Sequence, residues 1–418
     1  MIAGAAFRIR AGALVASAAI GLSVVAAVAI NAASADATAK TTAASPAPGW
    51  VVSVGDSYIS GEAGRWAGNT HESDYGAIDA LGPTAYDDAG TTESIPGCHR
   101  SKAAEIGIGG GVQSMNLACS GAKTTTSPYT GGTFTPGLDF YTDGKGHDGQ
   151  ALALQNFAST HHVSMVMVSI GGNNFNFASI VQSCVEDFLL SPSFWKDYCN
   201  DDSSVTSNFT SSAIATHTSE ITQALLNIHT AMTRAGYADS SYSIVAQTYP
   251  TALPTSSDIR YSQSGYTRQT TGGCGFWNAD LNWANTTAEP TINAAVVNAA
   301  GRTGLSNMKV LDVSSLFNGH ELCQTGVGKL YEEGLSSWKA PGAVDKSEWV
   351  ENIRTLSAAG SPFFVQESLH PNYWGELALR NCVRQVYNGG VVHGGTCTAK
   401  SDGLDAAGEP NVSMKATA

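Results

Sequence analysis

The chain has 418 residues and carries 35 acidic against 22 basic side chains, a formal net charge of −13. That length is enough for a substantial core in one α/β domain with long insertions. The acidic balance argues against nucleic acid or an anionic membrane surface as the main partner, and 45 glycines point to many turns and close backbone approaches.

Arg8 and Arg10 precede an uncharged run, residues 11–30, and Ala33-Ser34-Ala35 fits a signal-peptidase site. Residues 1–35 therefore read as a signal peptide, and the protein as secreted and extracellular. A run of that length also suffices to span a bilayer, so a retained anchor is the competing reading. The Ala-rich composition and the small-residue cleavage site favour removal. Residues 36–48, rich in Ala, Thr, Ser and Pro, read as a flexible spacer.

The apolar run Trp50-Val51-Val52-Ser53-Val54 reads as a buried strand, and Gly55-Asp56-Ser57-Tyr58 follows it directly. A serine at the exit of such a strand, before the small residues of 59–64, is where a parallel sheet presents a nucleophile. Four later runs, 163–170, 243–248, 308–313 and 363–366, are apolar enough for strands covered on both faces. Helices are expected at 151–157, 214–232, 292–300 and 374–387. In the second of these, Ile214, Ile221, Leu225, Ile228 and Met232 recur at helical spacing. Insertions at 124–149, 176–212 and 249–285 interrupt the alternation, and such loops commonly wall a site. Residues 399–418 are polar and read as a disordered tail beyond a domain at 49–398.

Eight cysteines in an exported chain read as structural bridges. Sequence alone permits about 105 complete pairings; local order suggests Cys98–Cys119, Cys184–Cys199, Cys274–Cys323 and Cys382–Cys397. No Cys-x-x-Cys pair and no Cys/His cluster with zinc spacing is present.

A serine hydroxyl is a poor nucleophile without a base. His370, in His370-Pro371-Asn372, could take its proton and return it to a leaving alcohol. Asn116-Leu117-Ala118-Cys119-Ser120-Gly121-Ala122 turns at Gly121, whose N–H could approach a developing oxyanion. Ser169-Ile170-Gly171-Gly172-Asn173-Asn174-Phe175 follows a strand, and Asn173 could add a side-chain N–H. Taken singly, each motif reads as ordinary turn chemistry.

Taken together and in order, the blocks resemble the SGNH/GDSL hydrolase superfamily, in particular its secreted, disulfide-containing actinobacterial esterases and lipases. The resemblance rests on Gly55-Asp56-Ser57, Ser120-Gly121-Ala122, Gly171-Gly172-Asn173-Asn174 and Glu367-Ser368-Leu369-His370-Pro371. Cys98-His99-Arg100-Ser101 and Asn318-Gly319-His320-Glu321-Leu322-Cys323 look like the same branch, and the likeness runs from about Trp50 to Cys397. It implies a flavodoxin-like three-layer α/β/α sandwich around a central parallel sheet. It also implies Ser57 as nucleophile, His370 as general base and acid, an oxyanion hole from Ser57 N–H, Gly121 N–H and the Asn173 side chain, and no metal or organic cofactor.

Two residues depart from the family pattern. Glu367 stands where an Asp usually orients the base; either its longer carboxylate or a backbone carbonyl would hold His370. Asn174 replaces a common Asp, which should affect the turn more than the chemistry. The implied activity is hydrolysis of small-molecule or lipid carboxylic esters by a monomeric, unanchored enzyme. A carbohydrate esterase acting on acylated sugars, or a non-catalytic carbohydrate-binding protein, are the alternatives. Phe276, Trp277 and Trp283 could line an acyl groove, form a sugar platform, or simply pack beneath a loop.

Overall fold

The computed structural model describes residues 49–69, 78–128, 134–354 and 366–417. The proposed signal peptide and spacer lie outside them. In chain order the elements are β1 (Trp50–Gly55), the one-turn helix α1 (Ser57–Ser60), β2 (Ser114–Asn116), α2 (Gln150–Ala158), β3 (Val163–Ser169), α3 (Phe177–Leu190) and α4 (Ser211–Arg234). Then follow β4 (Ser243–Gln247), α5 (Glu289–Arg302), β5 (Met308–Asp312), α6 (Tyr373–Tyr387), β6 (Gly394–Leu404) and β7 (Pro410–Thr417). The sheet order is β2-β1-β3-β4-β5-β6-β7, parallel throughout except for the antiparallel β6–β7 pair.

Alternation along the strands divides the core into two layers. Val51, Met165, Met167, Val245 and Leu311 face one side, where Leu377, Ala378 and Val383 of α6 meet them. Val52, Val54, Val166, Val168 and Ile244 face the other, covered by Leu154 of α2, Ile221 and Leu225 of α4, and Ile292 and Val296 of α5. Successive side chains on a strand point to opposite faces, so a sheet wrapped on both sides needs the continuous apolar runs seen in the sequence. The result is a three-layer α/β/α sandwich with the flavodoxin-like strand order 2-1-3-4-5 at its centre. Among the described residues no helix is long and apolar enough to cross a membrane.

One expectation fails here. Residues 399–417 are not a loose tail: they complete β6 and form β7. Backbone pairing holds them, together with the Cys382–Cys397 bridge to α6 and the Asn381 amide donating to the Pro410 carbonyl at 3.0 Å. None of these has an apolar period to betray it. The expected strand at 363–366 lies outside the described residues except for Gln366, which is helical, and β6 takes the place beside β5. The insertion at 176–212 is also less irregular than its composition suggests, since α3 occupies its first half. All four cysteine pairs form as local order suggested.

Candidate active site

Strand order reverses at β1: β2 lies on one side of it and β3 on the other. A crevice opens beyond the carboxyl ends of the strands at such a switch point, and both β1 and β3 end there in glycine turns. Gly55 has φ +135°, and a Cβ at this position would lie 1.9 Å from the Ser169 carbonyl oxygen. Only glycine lets β1 finish this close to β3. The Gln150 side chain holds the same residue, accepting from Gly55 N–H at 2.6 Å and donating to its carbonyl at 2.8 Å.

Asp56 caps α1, its carboxylate accepting from Tyr58 N–H at 3.2 Å and from the Tyr249 hydroxyl at 2.5 Å. The same Tyr249 oxygen accepts from Gly172 N–H at 2.9 Å, joining the β1 turn to the β3 turn. Burial pushes the Asp56 carboxyl up to about 7. Ser57 is thereby fixed as the first residue of α1.

The Ser57 Oγ lies 2.6 Å from His370 Nε2. His370 Nδ1 lies 2.9 Å from the Ser368 carbonyl oxygen. A carbonyl can only accept, so Nδ1 carries the proton and Nε2 is left to accept from the serine hydroxyl. Burial lowers the imidazole pKa below its ordinary value, with the charge of Glu62 opposing that shift. Tyr58 ties the two loops together: its hydroxyl donates to the Leu369 carbonyl at 2.8 Å, and its ring lies 5.0 Å from that of His370. Leu369 itself sits at φ +61° and donates its N–H to the Glu351 carbonyl at 3.0 Å.

Glu367 does not face His370. Its carboxylate accepts from Trp66 Nε1–H at 2.8 Å and from the Tyr86 hydroxyl at 2.7 Å. Its expected place beside the imidazole is filled by the Ser368 carbonyl. The longer side chain turns away from the cleft into a buried polar region that includes the His99–Glu62 pair, 2.7 Å apart.

Asn173 donates to the Ala122 carbonyl at 3.0 Å, which sets the β3 turn beside the segment containing Gly121. Gly121 has φ +75° and its N–H meets no acceptor among the described residues. Asn174 works within the turn, accepting from Thr124 N–H at 3.2 Å and donating to Thr124 Oγ1 and Glu220 at 2.8 Å. Tyr58, Gln150 and Tyr249 were not singled out by sequence reasoning. Their work consists of contacts across 77 to 311 positions, for which a single sequence carries no signal.

A cleft of about 840 Å³, including its part open to solvent, runs from Ser57 and Asn173. Phe177, Ile180 and Val181 of α3 wall it, with Phe209, Leu253, Phe276, Trp283 and Ile292. Two of the three insertions thus supply walls. Trp277 lies outside it, buried against Phe188 with ring centres 4.7 Å apart.

No protein-family model and no curated protein matches the chain. Among solved structures it is similar to an extracellular lipase from Streptomyces rimosus, at 20% identity and a TM-score of 0.42 over 81% of this chain and 99% of that one. It is similar to phospholipase A1 from Streptomyces albidoflavus NA297 at 17% identity and 0.37, over 81% and 99%. A family two carbohydrate esterase from Cellvibrio japonicus matches at 11% and 0.33, over 82% and 62%.

Among the described residues no three His, Cys, Asp or Glu side chains are grouped so as to hold a metal ion. Several acids are nonetheless buried, and two of them, Asp56 and Glu289, line the cleft. Burial pushes Glu289 and Glu351 up to about 8, and Asp280 and Glu321 to about 7, alongside Asp56. A carboxyl whose folded pKa is raised stabilises the fold fully below its unfolded value, and that stability is lost as pH rises through the folded value. Asp143, held down to about 2 by His147, has the opposite sign, but its contribution fades only in strong acid. His320 and His370, both lowered by burial, oppose the trend only through the imidazole range. The thermal midpoint should therefore fall between about pH 5 and pH 9. A midpoint that rises steadily across that range in a scan would contradict these protonation states.

Proposed function

We propose that the protein is a secreted serine hydrolase that cleaves carboxylic esters bearing extended apolar acyl chains. The observation that carries this reading is Ser57 Oγ at 2.6 Å from His370 Nε2, at one end of an apolar cleft. The Ser57 proton passes to Nε2 as Oγ attacks the ester carbonyl. Negative charge then develops on the carbonyl oxygen, with the Ser57 and Gly121 N–H groups and the Asn173 amide as its donors. Collapse expels the alcohol, which takes the proton from Nε2 and leaves an acyl-enzyme. Water, deprotonated by the same nitrogen, attacks the acyl carbon, and as the C–Oγ bond breaks the proton returns from Nε2 to Ser57 Oγ and the acid leaves. Throughout, the Ser368 carbonyl holds Nδ1–H and orients the imidazolium, a task a triad would give to a carboxylate.

The chemistry of the cleft walls favours acyl over sugar substrates. A sugar site presents mostly polar side chains to hydroxyls, whereas this cleft is walled mainly by Phe, Ile, Val, Leu and Trp, with Tyr249, Asn285 and Glu289 as polar members. The pairing of all eight cysteines supports an oxidising destination. Rates on p-nitrophenyl esters of increasing length, beside acetylated xylan, test the reading. Each methylene buried gives about 0.8 kcal/mol, so kcat/KM should climb severalfold per methylene until the cleft is filled. Highest activity on acetylated sugar, with no gain from chain length, would sink the acyl-chain reading in favour of a carbohydrate esterase.

A further inference from the structure

The turn after α3 exposes three large apolar side chains within six residues: Leu190 at 83%, Phe194 at 88% and Trp195 at 79%. Elsewhere in the described chain such exposure is scattered singly. The turn is firmly built. The Cys184–Cys199 bridge closes it, Trp195 N–H donates to the Pro192 carbonyl at 2.8 Å, and Asp197 N–H donates to Ser191 Oγ at 3.0 Å. Beneath it Trp277 directs its Nε1–H to Ser191 Oγ at 3.3 Å. A braced turn that holds apolar side chains in water marks a surface made for an apolar partner.

Two features identify that partner. The supports of the turn are also walls of the cleft: α3 contributes Phe177, Ile180 and Val181, and Phe276 adjoins Trp277. Charge near the turn is mostly acidic, with Glu186, Asp187, Asp197, Asp201 and Asp202 against Lys196, which disfavours an anionic surface. Trp and Phe beside one lysine suit the boundary between headgroups and acyl chains, where rings enter and the ammonium stays wet.

We propose that residues 190–195 dock the protein on the surface of an uncharged or zwitterionic ester-lipid aggregate. The proposal rests on the ester-hydrolase reading of the Ser57–His370 cleft, and its test separates the two. Flotation with phosphatidylcholine vesicles is measured for Ser57→Ala, which leaves the lipid intact, and for the same chain carrying Phe194→Ser and Trp195→Ser. The docking changes should reduce partition at least roughly tenfold, equivalent to about 1.4 kcal/mol. Introduced into the unaltered Ser57 protein, they should leave turnover of soluble p-nitrophenyl butyrate unchanged, which also checks the fold. Adding phosphatidylglycerol to the vesicles should weaken flotation. Equal flotation of the two proteins, or none by either, overturns docking and leaves the hydrolase reading standing. Absence of butyrate turnover overturns the hydrolase reading, while flotation still decides the surface. A dimer in sedimentation that the docking changes dissociate would assign the turn to self-association and overturn the lipid proposal.

Discussion

Replacing Ser57 by alanine is expected to lower ester turnover by roughly 10⁴-fold or more while leaving the fold intact. The hydroxyl makes one short contact, to His370, and α1 is held by Asp56 and by backbone bonds that the change leaves alone. His370→Ala should be about as damaging, and the double variant hardly worse than either, because the two groups act in one step. A serine-directed phosphonate should label Ser57 in the unaltered protein. The acid limb of kcat/KM should lie on the acid side of the ordinary imidazole range, since burial lowers the His370 pKa. Full turnover by the alanine variant, with labelling at another residue, would remove Ser57 from the mechanism.

Glu367→Gln should act through position rather than charge. The carboxylate accepts from two buried donors, Trp66 and Tyr86. A glutamine oxygen serves one of them, and its amide confronts the other. A buried donor left unpaired costs about 1–3 kcal/mol, so the variant should lose stability in that range. Its kcat should fall as the neighbouring Ser368 and His370 shift, with KM little changed. Tyr86→Phe should reproduce part of both effects. The pH of the acid limb should stay in place, because the Nδ1 partner is still the Ser368 carbonyl. If Gln at 367 moves that limb while Tyr86→Phe does nothing, the carboxylate is acting on the imidazole directly.

β1, β3 and β4 were legible because a strand covered on both faces has to be apolar at nearly every position, whereas β5, buried only at Leu311, was legible from Met308, Val310 and Leu311 alone. β2 was not: Ser114, Met115 and Asn116 are only partly buried, and three residues carry no period. In α3, Ile180, Cys184, Val185 and Phe188 did keep helical spacing. That signal lies inside an insertion whose polar, cysteine-bearing second half masks it. Ser57 and His370 stood out because strand-end turns are the places where the chain can present them. The direction of Glu367 could not be read. One methylene lets the same chain position address either the imidazole or Trp66 and Tyr86, and the choice belongs to residues some 280 to 300 positions away.

The four bridges close loops of 21, 15, 49 and 15 residues, and each joins a cysteine to the next one in the chain. For a chain that crosses a membrane amino end first, this order has a kinetic consequence. When Cys119 emerges, the only thiol waiting is that of Cys98, and each later pair repeats the situation once the preceding one has closed. Oxidation in order of arrival produces the native set, with no wrong bridge for slow thiol–disulfide exchange to undo. Such a chain needs an oxidant at the exit and no isomerase, and it should refold from the reduced, unfolded state more slowly than it matures during export.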